Sequence, residues 1–244
     1  TEAVVLRQVR LGEADAILTL YTPFLGKLRA VAKGVRRPKS KLAGHVQPLS
    51  RSSLMLAQGQ NLDVVTQAQS LDSFLPLRTD LWRATCAIYA AELVDRFTEE
   101  RIANYPLYRL LVDTLGRLCQ AIAADIPLRY FEIHMLEHLG YRPELERCLG
   151  CNEELASSGN LFSAASGGVL CPGCGAGQAA ARPLSVVALK VLRLMQKGDY
   201  TAASRLRLES AVTSELEGLL RGYIHYLLER EVRSTRFLDR LRRE

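Results

Sequence analysis

Four cysteines, Cys148, Cys151, Cys171 and Cys174, fall as two CxxC pairs with 19 residues between the inner two. That spacing suits a closed four-thiolate zinc site. Each CxxC turn aims two sulfurs at one ion, backbone amides donate to the sulfurs, and Gly150, Gly173 and Gly175 supply the turns. Four protein ligands leave no coordination position for water or substrate, so such an ion holds structure and does no chemistry. An iron–sulfur cluster and redox-active dithiols are the alternatives for the same residues. Six cysteines could also form three disulfides in a secreted protein, but paired CxxC in a reducing compartment points to metal. Cys86 and Cys119 stand among apolar neighbours in helical stretches and read as buried structural thiols.

A second chemistry lies near the start of the chain, in FLGKLRAVAKGVRRPKSKLAGHVQPLSR from Phe24 to Arg51. No acidic residue occurs between Asp15 and Asp63, whereas Lys27, Arg29, Lys33, Arg36, Arg37, Lys39, Lys41 and Arg51 all do. Gly26, Gly34, Gly44, Pro38 and Pro48 keep the run from becoming one helix. Uncompensated cations on turn-rich backbone can follow a phosphate chain, gaining affinity as condensed counterions are released. The bland alternative is a solvated basic loop without a ligand. Tyr21 and Phe24 are aromatics available to stack bases, or equally to pack at a strand end.

Other constellations carry less. His134 and His138 are spaced i,i+4, but the zinc-protease signature needs Glu after the first His and Met135 stands there, so one histidine is expected to pack against the cysteine module. There is no GxxxxGK[ST] loop, no GxGxxG after a strand and no nucleophile elbow, so a non-enzymatic role is expected.

The totals fit a binding protein. The chain has 244 residues, 48% of them hydrophobic, and a net charge of +6, which favours an acidic partner. Residues 1–80 hold eleven Lys and Arg against six Asp and Glu, so the excess sits mainly in front. No stretch reaches the roughly 18 apolar residues of a membrane helix, and the opening TEAVVLRQVR lacks the apolar centre of a signal peptide, which predicts a soluble, cytoplasmic protein without a membrane partner. Because residue 1 is not Met, a few native residues are expected to precede it.

The elements that must position these residues are legible from periodicity. Runs at 3–10, 14–22, 27–33, 53–57 and 61–67 are short, alternating and bounded by Gly, Pro and polar residues, which predicts a small five-stranded barrel of the OB type. In the third run Leu28, Ala30 and Ala32 take one face and Lys27, Arg29, Val31 and Lys33 the other. Helical spacing follows at 79–99 and 106–124, where Leu107, Leu111, Leu115, Leu118 and Ile122 share a stripe. A third helix opens near Asp125 and stops at Gly140, and the three are expected to bundle. A β-hairpin through Leu161, Phe162 and Val169 is expected between the knuckles. Two last helices cover 184–196 and 215–231, the second with Ser214 and Glu217 as a capping box. Five arginines between residues 233 and 243 close the chain.

The fold class expected is therefore α+β: an OB-fold barrel at 1–77, a helical part at 78–140, a four-cysteine zinc module at 141–182 and a returning helical part at 183–244. The order of motifs also resembles the bacterial recombination mediator family RecO. The matching residues are Gly12, Asp15, Thr22, Gly26 and Lys27, the run Lys33-Gly34-Val35-Arg36-Arg37 closing on Ser40, and the LGYRPEL stretch followed by all four cysteines. The resemblance implies binding of single- and double-stranded DNA through the barrel, partnership with RecR, and contact with the acidic tail of the single-stranded-DNA-binding protein. It further implies strand annealing, help to RecA on coated strands, a structural zinc, and residence at the bacterial nucleoid. A zinc-containing OB-fold RNA- or ribosome-associated protein is the competing reading, and an adaptor meeting an acidic protein tail is a third.

Overall fold

The computed structural model describes residues 1–121 and 123–228. Ile122, the end of the last expected helix and the C-terminal arginines lie outside the described residues. The chain separates into two compact units that meet in sequence between Ala124 and Asp125.

The first unit starts with five strands: β1 (Glu2–Leu11), β2 (Asp15–Thr22), β3 (Gly26–Ala32), β4 (Arg51–Ala57) and β5 (Asp63–Asp72). They close as β1-β2-β3-β5-β4, with β3 and β5 parallel and β1 pairing back on β4. This is the expected OB-type barrel. Period-two alternation explains its interior: Leu18 and Leu20 of β2 stand opposite Ala30 and Leu28 of β3, and all four are buried beside Ala3, Val5, Leu54 and Val65. Closure leaves no strand edge to pair with another chain.

The long connection from β3 to β4 has no helix, yet it is not loose. Its apolar residues Val35 and Val46 are buried in the barrel core, and Leu42 and Ala43 pack against them. Burying a valine contributes about 1.5–3 kcal/mol, so these plugs fix the loop on the barrel while its charged residues stay outside.

Helices α1 (Pro76–Thr79), α2 (Leu81–Phe97) and α3 (Tyr105–Gln120) complete the first unit. Asp80 caps α2 by accepting from the Arg83 amide at 2.9 Å, and Asn104 caps α3 by accepting from that of Leu107 at 3.0 Å. Helix α2 packs on β1, and α3 on α2 and β2. Helix α3 ends at Gln120, four residues before the end of the expected span at 124.

The second unit holds α4 (Asp125–His138), the hairpin β6 (Leu161–Ser163) and β7 (Gly168–Leu170), the single turn α5 (Pro172–Gly175), a short third strand β8 (Arg182–Pro183), and helices α6 (Val186–Lys197), α7 (Tyr200–Ser204) and α8 (Ser210–Leu228). Helix α4 packs against α6, α7 and α8. The three helices expected to bundle are therefore divided between the units, because the apolar face of α4 finds its partners later in the chain. Ser214 and Glu217 are not a capping box either. Helix α8 begins at Ser210, and Glu217 pairs instead with Arg221 at 3.2 Å. The reciprocal cap occurs across two helices: Ser185 accepts from the Ala188 amide, while Glu215 of α8 accepts from the Ser185 amide and hydroxyl at 2.6 Å.

Candidate nucleic-acid interface and metal centre

The basic stretch divides into two populations. Lys27 and Arg29 stand on the outer face of β3, as alternation requires, but residues 95–104 lie across that face. The Lys27 side chain is only 13% exposed and sits 3.3 Å from Asp95 Oδ1, with a further hydrogen bond to the Asp95 carbonyl. Arg29 pairs with Glu100 at 2.8 Å. The Arg101 amide donates to the Lys27 carbonyl at 2.8 Å, and the Arg101 guanidinium binds Asp63 at 2.7 Å. These two cations on β3 are engaged in holding the unit together.

Tyr21 is a correction to the expected stacking pair. It is 0% exposed, covered by Tyr108 of α3 and within 3.5 Å of the Asn104 carbonyl, and burial raises the pKa of its hydroxyl well above the usual phenol value. A ring without free surface cannot stack on a base. Phe24 is the opposite case, 73% exposed at the tip of the β2–β3 turn.

Lys33, Arg36, Arg37, Lys39 and Lys41 lie on the plugged loop, and all five are exposed. Among the described residues the ion pairs of this stretch are those of Lys27, Arg29 and Arg51; the five loop cations have none. The loop is latched to the β1–β2 turn. Asp15 Oδ1 accepts from the Gly34 amide at 2.7 Å, the Arg36 amide donates to the Ala14 carbonyl at 2.9 Å, and the Arg36 guanidinium donates to the Gly12 and Glu13 carbonyls at 3.2 and 2.9 Å. Carbonyls orient the guanidinium without cancelling its charge. The outcome is a preorganised cationic loop at the barrel end opposite Phe24.

No local signal in the sequence announces that 95–104 covers β3. What permits it is Gly26: its φ is +65°, and a Cβ there would lie 2.2 Å from the Ile102 carbonyl oxygen. Gly26→Ala is expected to lower stability by about 2 kcal/mol or more, since both backbone strain and displacement of the covering segment act. Gly12→Ala is the comparison: φ is +57° there with nothing within 4 Å of the added carbon, so only the left-handed cost of about 1 kcal/mol applies. Urea midpoints of the two variants check this, and equal losses would remove the covering segment from the explanation.

The four cysteines of the second unit come together as expected, with all their sulfurs within 4.8 Å of one another. The first knuckle is closed by the Cys148 amide donating to the Glu153 carbonyl and the Asn152 amide to the Cys148 carbonyl, at 3.0 and 2.8 Å. In the second, Cys171 caps α5 and its sulfur faces the Cys174 amide at 3.5 Å. Burial alone would push the Cys148 thiol up, but amides of Cys171, Cys151 and Gly150 donate to it, and its pKa falls to about 6. The other thiols crowd Cys174 and push it up to about 12. Protons and repelling thiolates thus compete for one small space, which a bound cation relieves. The first knuckle passes so close to the second that a Cβ on Gly150 would lie 2.7 Å from the Cys174 Cβ and 2.8 Å from its sulfur. The residues fit a metal ion. The module is fastened by Gln196 of α6, which donates to the Pro143 carbonyl at 2.9 Å, and by Tyr223 of α8, which donates to the Tyr141 carbonyl at 3.1 Å.

His134 does not turn to the cysteines. Its ring contacts the Met195 carbonyl of α6 and Glu137, at 2.9 and 3.2 Å, and lies against Tyr130.

The family "Recombination protein O N terminal" matches residues 1–74 and "Recombination protein O C terminal" matches residues 78–236. The chain belongs to the RecO family. It is 45% identical over 242 residues to a DNA repair protein RecO of Roseiflexus sp. (strain RS-1), covering 99% of this chain and 85% of that one. It is 42% identical to the DNA repair protein RecO of Dehalococcoides mccartyi (strain ATCC BAA-2266 / KCTC 15142 / 195), covering 100% and 96% of the two chains. With that of Desulforamulus reducens the identity is 35%, over 98% and 93%. No helix among the described residues of this RecO-family chain is long and apolar enough to cross a membrane.

Proposed function

We propose that this RecO-family protein is a non-enzymatic DNA repair protein, a recombination mediator that binds single- and double-stranded DNA through the barrel domain at residues 1–77. The observation that carries the reading is the plugged loop of Lys33, Arg36, Arg37, Lys39 and Lys41, which among the described residues makes no ion pair. Cations held in place before binding lose little entropy on meeting a phosphate chain, and each contact releases condensed counterions. Lys27 and Arg29 act in a second role, holding the β3 face.

Strand annealing follows from the same charges. Two phosphate chains drawn to one basic loop repel each other less, and a protein that grips backbone leaves base edges free to pair. No bond-making group is needed. In recombinational repair the protein would act at the bacterial nucleoid with RecR, engage the acidic tail of the single-stranded-DNA-binding protein, and help RecA onto coated strands. The ion at Cys148, Cys151, Cys171 and Cys174 is read as structural zinc. A tetrahedron with Zn–S bonds of about 2.3 Å has edges of about 3.8 Å, and Cys151 and Cys171 sulfurs stand 3.9 Å apart.

The test is annealing of two complementary oligonucleotides, each coated with single-stranded-DNA-binding protein, without ATP. Acceleration on coated strands is expected. Acceleration of naked strands only would reduce the protein to a generic polycation, and affinity for structured RNA without effect on coated strands would replace the DNA reading with an RNA-associated one.

A further inference from the structure

The end of the barrel remote from the basic loop presents an aromatic surface that the described residues leave exposed. Thr22 locks the β2–β3 turn, its hydroxyl accepting from the Leu25 amide and donating to the Gly26 carbonyl, both at 2.9 Å. That turn holds Phe24 outward. Segment 100–104, seated on Gly26, brings the first residue of α3 beside it. The Phe24 and Tyr105 rings are parallel within 4°, with centroids 5.5 Å apart. Both stay exposed, at 73% and 44%. Arg109, one helical turn after Tyr105 and likewise exposed, has the Tyr105 side chain as its electrostatic neighbour. Asp113 is the acidic neighbour on the same helix.

Two parallel rings on a locked turn and a capped helix terminus cost surface free energy in the free protein. Such an arrangement matches an unpaired nucleobase, which offers an apolar face of similar size next to a phosphate. We propose that Phe24 and Tyr105 form a stacking platform for an unpaired base of a single strand, with Arg109 taking the adjoining phosphate. The proposal rests on the DNA-binding reading above and gives it single-strand character. The seven-residue strand β3 separates the platform from the basic loop, about 20 Å at 3.3 Å per residue. A strand several nucleotides long therefore spans both. Duplex DNA, whose bases are already stacked, can use only the loop.

The experiment compares full-length wild-type protein, Phe24→Ala and Tyr105→Ala on oligothymidylate and on an abasic strand of the same length, across a salt series. Base stacking is worth about 1–3 kcal/mol, so wild-type protein should prefer oligothymidylate by about tenfold. Each variant should lose most of that preference, bind the abasic strand as wild type does, and keep the wild-type salt slope. Phe24→Tyr, which retains a ring, should restore the preference. Wild-type affinity equal for both strands, or variants weakened equally on both, would overturn the platform and leave the basic loop standing. Wild-type protein binding neither strand would overturn the DNA-binding reading itself.

Discussion

Exchanging Arg36, Arg37, Lys39 and Lys41 together for glutamine should weaken single-strand binding by about tenfold to a few hundredfold near 0.1 M salt and flatten its salt dependence. On single strands the slope of log affinity against log salt is about −0.7 per neutralised phosphate, so four lost contacts reduce it by up to about 3. The side chains are exposed and make no ion pair among the described residues, and the backbone bonds of Gly34 and Arg36 to the β1–β2 turn remain, hence the melting temperature should stay within a few degrees of wild type. Lys27→Gln is the informative contrast. It removes the nearer of two cations, Lys27 and Arg7, beside a half-buried Asp95, and its expected signature is loss of stability with an unchanged slope. Fluorescence anisotropy over a salt series, with a thermal melt of each variant, checks both. An unchanged slope in the quadruple variant would move the phosphate-binding surface away from the loop.

The second large effect is expected at the metal. Cys148→Ser should abolish stoichiometric zinc and lower the melting of the second unit by about 10 °C or more, because structural zinc is bound chiefly by the folded state and its binding free energy is folding free energy. Cys148 is itself buried, so a hydroxyl there also disturbs packing. Cys151→Ser avoids that problem, since Cys151 is exposed, and a chelator should reproduce its melt on the wild-type protein. Metal content by atomic absorption and calorimetry decide the matter. Two separate transitions are expected, as two units need not unfold together. A metal-free Cys151→Ser protein with native melting would show that the sulfurs need no ion. DNA binding by the loop should survive in either variant, because the basic loop and the cysteines belong to different units.

Most of the architecture was legible because it rests on local rules. Alternation of Leu28, Ala30 and Ala32 with Lys27, Arg29 and Val31 can satisfy only a half-buried strand, and five such runs of barrel length lead to closure. Two CxxC pairs define their own ligand set, since each knuckle is built from residues three apart. The charge gap from Asp15 to Asp63 located the basic surface without any structure. Boundaries failed where a competing partner was distant. Ser214 looks like a cap in isolation, but α8 starts a turn earlier at Ser210, where the Thr213 amide already donates to the Glu209 carbonyl at 3.0 Å.

Which cations are free was decided by tertiary structure alone. Lys27 and Arg37 have the same chemistry and lie ten residues apart, yet Lys27 is spent on Asp95 and Arg37 is not. Whether Tyr21 or Phe24 can meet a base depends on α3, which buries the first ring and sets Tyr105 parallel to the second. Residues 68 to 87 positions apart make both choices, through a glycine that admits the covering segment. Spacing along a chain fixes what a residue can do with its near neighbours; its charge neutralisation and exposure are set by whatever the fold lays on top of it, and no periodicity encodes that.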